Sequence, residues 1–209
     1  YCPMVMNIVN GKSGLKIGLQ MPRLTLMKTK APEFERDTTV VIPQGPFLVK
    51  NSGTGKNNSF YQNQHGSLCL QEEGGKGLWG VPFKGKLCGT AHNVDYYANG
   101  KLQIIFGSGS SIYIIDRLGR FVSGFPMDLG KDILLGPDVY DFNGTRAYNV
   151  MVLHKDNTIE MYNLKGKKPS SWKTITAPET IKGLPERVVV GGNTFWVVRT
   201  SVQTLIYPF

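Results

Sequence analysis

The chain has 209 residues, 24 basic and 15 acidic, with a formal charge of +9, 41% hydrophobic residues and 19% charged. An apolar share near the globular norm with modest charge excludes a disordered chain. Val and Ile together number 30 against 5 Ala, and Gly plus Pro number 37, which excludes a helical bundle and points to short β-branched strands separated by many turns. In chain order, residues 1–18 read as the middle of a strand pair. Leu24-Thr25-Leu26-Met27 reads as a further strand able to pair with the first strands downstream of it. From Phe47-Leu48-Val49 onward, short apolar runs alternate with Gly-, Asn- and Asp-containing turns up to the terminal run 204–207.

Those runs repeat. Gly66-Ser67-Leu68-Cys69-Leu70, Gly74-Gly75-Lys76 and Trp79-Gly80-Val81-Pro82 are echoed 44 residues later by Ser110-Ser111-Ile112-Tyr113-Ile114, Leu118-Gly119-Arg120 and Ser123-Gly124-Phe125-Pro126. A further 47 residues on come Asn157-Thr158-Ile159-Glu160-Met161-Tyr162, Leu164-Lys165-Gly166-Lys167 and Ser171-Trp172. The stretch ahead of each unit repeats too. Asp95 to Gly100 leads into Leu102–Phe106, Asp141-Phe142-Asn143-Gly144 into Tyr148–Leu153, and Val190-Gly191-Gly192-Asn193 into Phe195–Val198. Asn-Gly and Gly-Gly supply the positive φ that tight hairpins need. Four antiparallel strands in about 45 residues make one propeller blade. The expected fold is all-β, with β-propeller-type blades, about four of them, in a piece of a larger ring or a small ring. A lead-in segment is expected over 1–37 and a repeat domain over 38–209, with units near 38–94, 95–140, 141–187 and a partial 188–209.

No window of about 18 apolar residues is present, so no membrane span is expected, and no charged region followed by an apolar one marks a signal peptide. The opening on Tyr1 reads as a piece of a longer polypeptide. The charge balances of 1–56, 57–145 and 146–209 are +5, −1 and +5, so the surplus sits at the two ends and not in one basic stripe. The tight cluster Lys165-Gly166-Lys167-Lys168 falls at a hairpin turn, and no nucleic-acid partner is expected. Cys2, Cys69 and Cys88 form no CxxC pair, so zinc and redox motifs lack their spacing. A Cys69–Cys88 disulfide stays open on sequence. A small core residue on a strand is the base-rate reading of Cys69.

The run from Ser111 through Asp116-Arg117-Leu118-Gly119 to Gly124-Phe125-Pro126 resembles the strand, D-x-x-G, G-[FW]-P repeat of PQQ-like and related β-propellers. With Val49-Lys50-Asn51 and Thr54-Gly55-Lys56, residues 38–209 more closely resemble the propeller-like C-terminal region of uncharacterised bacterial envelope lipoproteins. That resemblance implies the periplasm or outer cell surface. It also brings in two further readings: a quinone- or metal-dependent enzyme, and an outer-membrane assembly scaffold that binds partner strands at a blade edge.

The residues do not reproduce the quinone platform, calcium ligands and catalytic Asp of the quinone enzymes, so no cofactor, metal or catalytic residue is assigned and an enzyme is not expected. Asp141-Phe142-Asn143-Gly144 lacks the further ligands of a calcium loop and reads as a hairpin turn. Gly107-Ser108-Gly109-Ser110-Ser111 is neither a nucleophile elbow nor a phosphate loop. Glu72-Glu73 sits in a turn. His65 and His154 occupy similar repeat positions at strand ends, and His92 stands apart. Trp79, Phe125 and Trp172 recur at equivalent points of successive units. They are candidate blade-packing or binding aromatics, together with Tyr96 and Trp196. The expected function is a non-catalytic binding or scaffold module presenting loops or a blade edge to a protein or glycan. If the N-terminal segment supplies the strand that the last unit lacks, the array closes as a ring; if it does not, dimerisation or strand exchange is expected at the open blade edge.

Overall fold

The computed structural model describes residues 5–11, 14–20 and 39–209. The chain separates into two compact units, Tyr1–Glu35 and Arg36–Phe209. In the first, β1 (Val5–Gly11) and β2 (Gly14–Gln20) form an antiparallel hairpin with Ile8 opposite Ile17. The strand expected at 24–27 lies outside the described residues.

In the second unit four antiparallel sheets follow one another, each a simple meander. The first is β3 (Phe47–Lys50), β4 (Asn57–Gln62), β5 (Leu68–Glu72) and β6 (Gly77–Val81). The second is β7 (His92–Val94), β8 (Gln103–Ser108), β9 (Ser111–Ile115) and β10 (Met127–Asp128). The third is β11 (Ile133–Tyr140), β12 (Asn149–His154), β13 (Thr158–Asn163) and β14 (Ile175–Thr176). The fourth is β15 (Glu186–Val190), β16 (Asn193–Arg199) and β17 (Thr204–Pro208). The architecture is all-β, with propeller-type blades and no helix among the described residues. The strand ahead of each Asp-Gly or Gly-Gly turn pairs with the strand after it, so β7, β11 and β15 open their sheets.

One local device makes the turns. The Asp95 carboxylate accepts the N–H groups of Asn99 and Gly100, both at 3.0 Å. Asp116 accepts those of Leu118 at 2.9 Å and Arg120 at 3.0 Å, and Asp141 those of Thr145 at 3.1 Å and Arg146 at 2.9 Å. Asn63 and Asn163 cap their own turns in the same way through Ser67 and Lys167. Short polar side chains mimic the backbone acceptor of a turn, which is why these residue types recur at these points.

Side-chain alternation then builds three cores between four sheets. Ile104, Phe106 and Ile115 meet Phe60, Leu68 and Leu70 of the first sheet. Ile105, Ile112 and Ile114, on the opposite face, meet Val150, Val152 and Tyr162 of the third. Met151, Leu153, Ile159 and Met161 meet Trp196 and Val198 of the fourth. The middle sheets are covered on both faces, so β8 and β12 read as unbroken buried runs, while β4 and β5 alternate.

Backbone closeness ties the second and third sheets together. The Cys88 N–H donates to the Gly107 carbonyl and the Gly136 N–H donates to the Cys88 carbonyl, each at 2.9 Å. A Cβ on Gly107 would stand 2.9 Å from the Gly136 oxygen. One on Gly136, where φ is +132°, would stand 3.0 Å from the Met151 oxygen and 3.2 Å from Val152 Cα. Across the rim of the third sheet, Lys131 pairs with Asp156 at 2.6 Å and Lys155 with Asp132 at 2.8 Å.

Gly136→Ala is therefore expected to lower the unfolding free energy by about 2–4 kcal/mol, through strain plus backbone clash. Gly144→Ala, at φ +65° in open space, is expected to cost only about 1 kcal/mol. Urea unfolding of both variants compares them, and equal losses would refute crowding as the cause. A second expectation concerns acid. The Lys131 ammonium and the Thr158 hydroxyl hold the Asp156 pKa at about 2, against an ordinary 3.8. A carboxyl depressed in the folded state contributes stability above its unfolded pKa and loses it as pH falls through the folded one. The pair's support is full above about pH 4 and gone near pH 2. Carboxyl-carbon NMR titration should place Asp156 there, and Lys131→Met should return it toward the ordinary range.

Candidate functional site

Between the third and fourth sheets lies a cavity of about 390 Å³. Its walls are chiefly Phe142, Trp172, Trp196, Tyr207 and Phe209, with Met161 behind them. Four elements bring these together. Phe142 follows β11 in its turn, Trp172 lies on the connection from β13 to β14, Trp196 is on β16, and Tyr207 lies on β17 just before Phe209. Trp196 is only 1% exposed, because the register puts it opposite both Arg187 and Tyr207 on the face turned to the third sheet.

The rings meet mostly edge to face, as aromatic quadrupoles prefer. Trp172 lies 6.0 Å from Trp196 at 75°, and Phe142 lies 5.0 Å from Phe209 at 68°. Tyr140 stacks on Phe142 at 5.4 Å, and the Arg187 guanidinium sits over the Phe142 ring at 5.6 Å. Burial, then the nearby Asp138 charge, pushes the Tyr140 phenol well above its ordinary pKa of 10.0, so it stays neutral where it stacks on Phe142. Neither the Trp172 nor the Trp196 indole N–H has an acceptor among the described residues, and both are shielded from water.

The other candidate aromatics lie at other sheet interfaces. Trp79, on β6, donates its indole N–H to the Arg117 carbonyl of the second sheet's turn at 2.9 Å and packs into the core between the first two sheets. Phe125 and Tyr96 meet edge to face at 5.5 Å beside the core between the second and third sheets. The five residues thus fall into three separate groups, and only Trp172 and Trp196 share a cavity. Phe142, Tyr207 and Phe209 were not singled out by the repeat, because no fixed spacing relates the turn after β11 to the end of β17.

The polar candidates are occupied locally. Glu160 is buried, where it accepts hydrogen bonds from Lys168 and from the Thr174 hydroxyl, while its second oxygen lacks a partner. Lys165 and Lys167 donate backbone N–H groups to Asn163 in the turn. His65 is exposed in its turn. His154, at the matching repeat position, is fully buried, with Nδ1 3.2 Å from the Asp132 carbonyl and Nε2 3.2 Å from the Tyr162 hydroxyl. Burial, then the charges of Glu160 and Asp156, pushes the Tyr162 pKa up to about 12. His92 lies 3.1 Å from the Thr90 hydroxyl and 3.4 Å from Asp138. Cys69 and Cys88 are free thiols, so the disulfide left open on sequence is not formed. Among the described residues no three His, Cys, Asp or Glu side chains converge as a metal site. No helix there is long and apolar enough to cross a membrane.

The fourth sheet also presents a second face. Val188 stands opposite Phe195, Phe195 opposite Pro208, and Val197 opposite Ile206, all on the side turned away from Trp196. Val190 is 61% and Ile206 67% exposed there. On its other side β17 has no pairing strand among the described residues.

No protein-family model and no curated protein matches the chain. Solved structures do. BBS1N in complex with ARL6DN matches over 78% of this chain and 50% of that one, with TM-score 0.52 and 16% identity in a mercury-soaked crystal. A lead-soaked crystal of the same complex matches over 78% and 53%, with TM-score 0.54 and 15% identity. BamB from Moraxella catarrhalis matches over 81% of this chain and 50% of that one, with TM-score 0.47 and 15% identity. The chain spans about half the length of these structures. At such identity the likeness to BBS1N is one of fold, that of β-propeller blades.

Proposed function

We propose that the chain is a non-catalytic binding or scaffold module of a bacterial envelope protein, presenting propeller loops or a blade edge to a partner. The observation that carries this reading is the outer face of the fourth sheet, where Val188, Val190, Phe195, Val197 and Ile206 stand beside the Glu186–Arg199 ion pair with no sheet over them among the described residues. In the second and third sheets, strands that are apolar on both faces have a neighbouring sheet on each side. β16 likewise runs Phe195-Trp196-Val197-Val198 at its centre, yet Phe195 and Val197 belong to none of the three cores. Each Å² of such surface removed from water favours association by roughly 25 cal/mol. A partner that supplies an apolar sheet or a strand would cover Val190, Val197 and Ile206 and pair with the free edge of β17. BBS1N, which shares the fold, was solved with a protein, ARL6DN, and this supports a protein over a glycan on that face. The envelope location rests on the repeat resemblance.

The immobilised chain should retain a protein from solubilised envelope extract of the source organism. Ile206→Lys should lower that recovery at least tenfold with the melting temperature unchanged, since the side chain is exposed. Equal recovery by both forms, or no capture by either together with a silent glycan array, would overturn the reading.

A further inference from the structure

We propose that a basic groove across one end of the first three sheets binds an acidic, extended segment of a protein partner. This rests on the binding-module reading but uses a surface apart from the fourth sheet, so the two tests fail independently.

The groove has a volume of about 1120 Å³, above the roughly 300–1,000 Å³ of a small-molecule pocket. Equivalent turns of the sheets wall it: the β4–β5 turn with His65, the β8–β9 turn at Ser108 and Gly109, and Lys155 after β12. The connection from β6 to β7 runs along it and is clamped. The Gln62 amide nitrogen donates to the Gly66 carbonyl at 2.9 Å and the Gly85 carbonyl at 2.7 Å, and its oxygen accepts the Leu87 N–H at 3.2 Å. Along this connection exposure alternates, with Pro82, Lys84 and Lys86 exposed and Phe83, Gly85 and Leu87 partly buried. Phe83 packs edge to face on Phe106 and Tyr113, and a Cβ on Gly85 would overlap the Ser108 hydroxyl. With its alternate residues held inward, the segment presents Lys84 and Lys86 on one side.

Charge decides the ligand class. The lining carries Lys84, Lys86, Lys155 and His65 and no carboxylate. Lys155 is matched by Asp132 at 2.8 Å. Lys84 and Lys86 have no ion-pair partner among the described residues. The neutral groups, Gln44, Gln64 and Ser67 among them, both donate and accept, so they do not discriminate. Two like charges on a clamped backbone raise the local potential and attract an anion. Single-stranded nucleic acid needs aromatic faces to stack its bases. Phe83 is the one Phe, Tyr or Trp in the lining, and Phe106, Tyr113 and Phe121 already engage its ring. Ile42, Pro82, Leu87 and Leu134 make part of the wall apolar, which suits a chain that carries apolar side chains as well as charge. An extended peptide has the same period of two, so carboxylates at alternate positions meet Lys84 and Lys86 together while other side chains meet the apolar wall.

A fluorescent decapeptide alternating Glu and Val, titrated with the intact chain at low salt, should give a saturable rise in anisotropy. Binding should fall at least tenfold in about 1 M salt, where charges are screened within about 3 Å. The counterpart alternating Lys and Val should not bind. Lys84→Glu with Lys86→Glu should weaken binding at least tenfold, about 1.4 kcal/mol, at an unchanged melting temperature, since both side chains are exposed. Lys165→Glu with Lys167→Glu makes the same change of net charge in the exposed turn at the opposite end of the third sheet and should leave binding as it was. So should Ile206→Lys. No saturable binding of the Glu peptide, equal binding of the Lys peptide, or equal effects of the two charge reversals overturns the proposal. Binding of oligothymidylate or a heparin oligosaccharide with none of the Glu peptide also overturns it and makes the groove a nucleic-acid or polysaccharide site.

Discussion

Backbone contact at Gly107, Gly136 and Cys88 sets the spacing on which the rest of the second unit depends. A sheet buried on both faces must bring its neighbours close enough for side chains to interdigitate, about 10 Å apart. Between the second and third sheets, that closeness is locked where Cys88 accepts from and donates to the glycine backbones. A Cβ on Gly107 would meet the Gly136 oxygen across that interface, and one on Gly136 would meet the β12 backbone beside it in its own sheet. With the hub fixed, Ile105 and Ile112 pack against Val150 and Val152 with no gap to fill. Between the third and fourth sheets the contact is made by large rings, and rings meeting edge to face leave space between them. The cavity is the counterpart of the glycine contact: one interface closes on backbone, the next on indoles.

Much of this arrangement was legible in the sequence, because the determinants are local. An Asp or Asn at the start of a turn accepts N–H groups two to five residues on, so Asp95, Asp116 and Asp141 mark hairpins without reference to the rest of the chain. The recurrence of those turns with Trp79, Phe125 and Trp172 marked the blades. Other features need partners distant in sequence and were not legible. His65 and His154 occupy one repeat position, yet one is solvated and the other is enclosed by Asp132 and Tyr162. A repeat also has a period and no phase, and only hydrogen bonding shows that β7, β11 and β15 belong with the strands after them. The cavity was out of reach for the same reason: Phe142, Trp172 and Phe209 converge through sheet packing that no spacing encodes.

The residue types usually sought as chemistry are engaged in holding the backbone. Asp95 binds two N–H groups and also the Arg146 guanidinium at 2.8 Å, linking the turn of the second sheet to that of the third. Burial pushes the Asp116 carboxyl up, but the hydrogen bonds from Arg120 and Leu118 outweigh it and leave its pKa below 3.8. Such groups are charged and fixed, which suits a turn and not proton transfer.

The two outer faces of the array are not equivalent, and this gives the module a direction. On the first sheet, Ser59 stands opposite Gln71 and Asn57 opposite Lys50, a face that water satisfies even with Leu48 71% exposed at its edge. On the fourth sheet the corresponding pairs are Val188 with Phe195 and Val197 with Ile206, with the Glu186–Arg199 ion pair beside Val197. Among the described residues association is thus favoured on the fourth sheet, and β17 divides its side chains between the two sides, Ile206 on the open face and Tyr207 in the cavity wall.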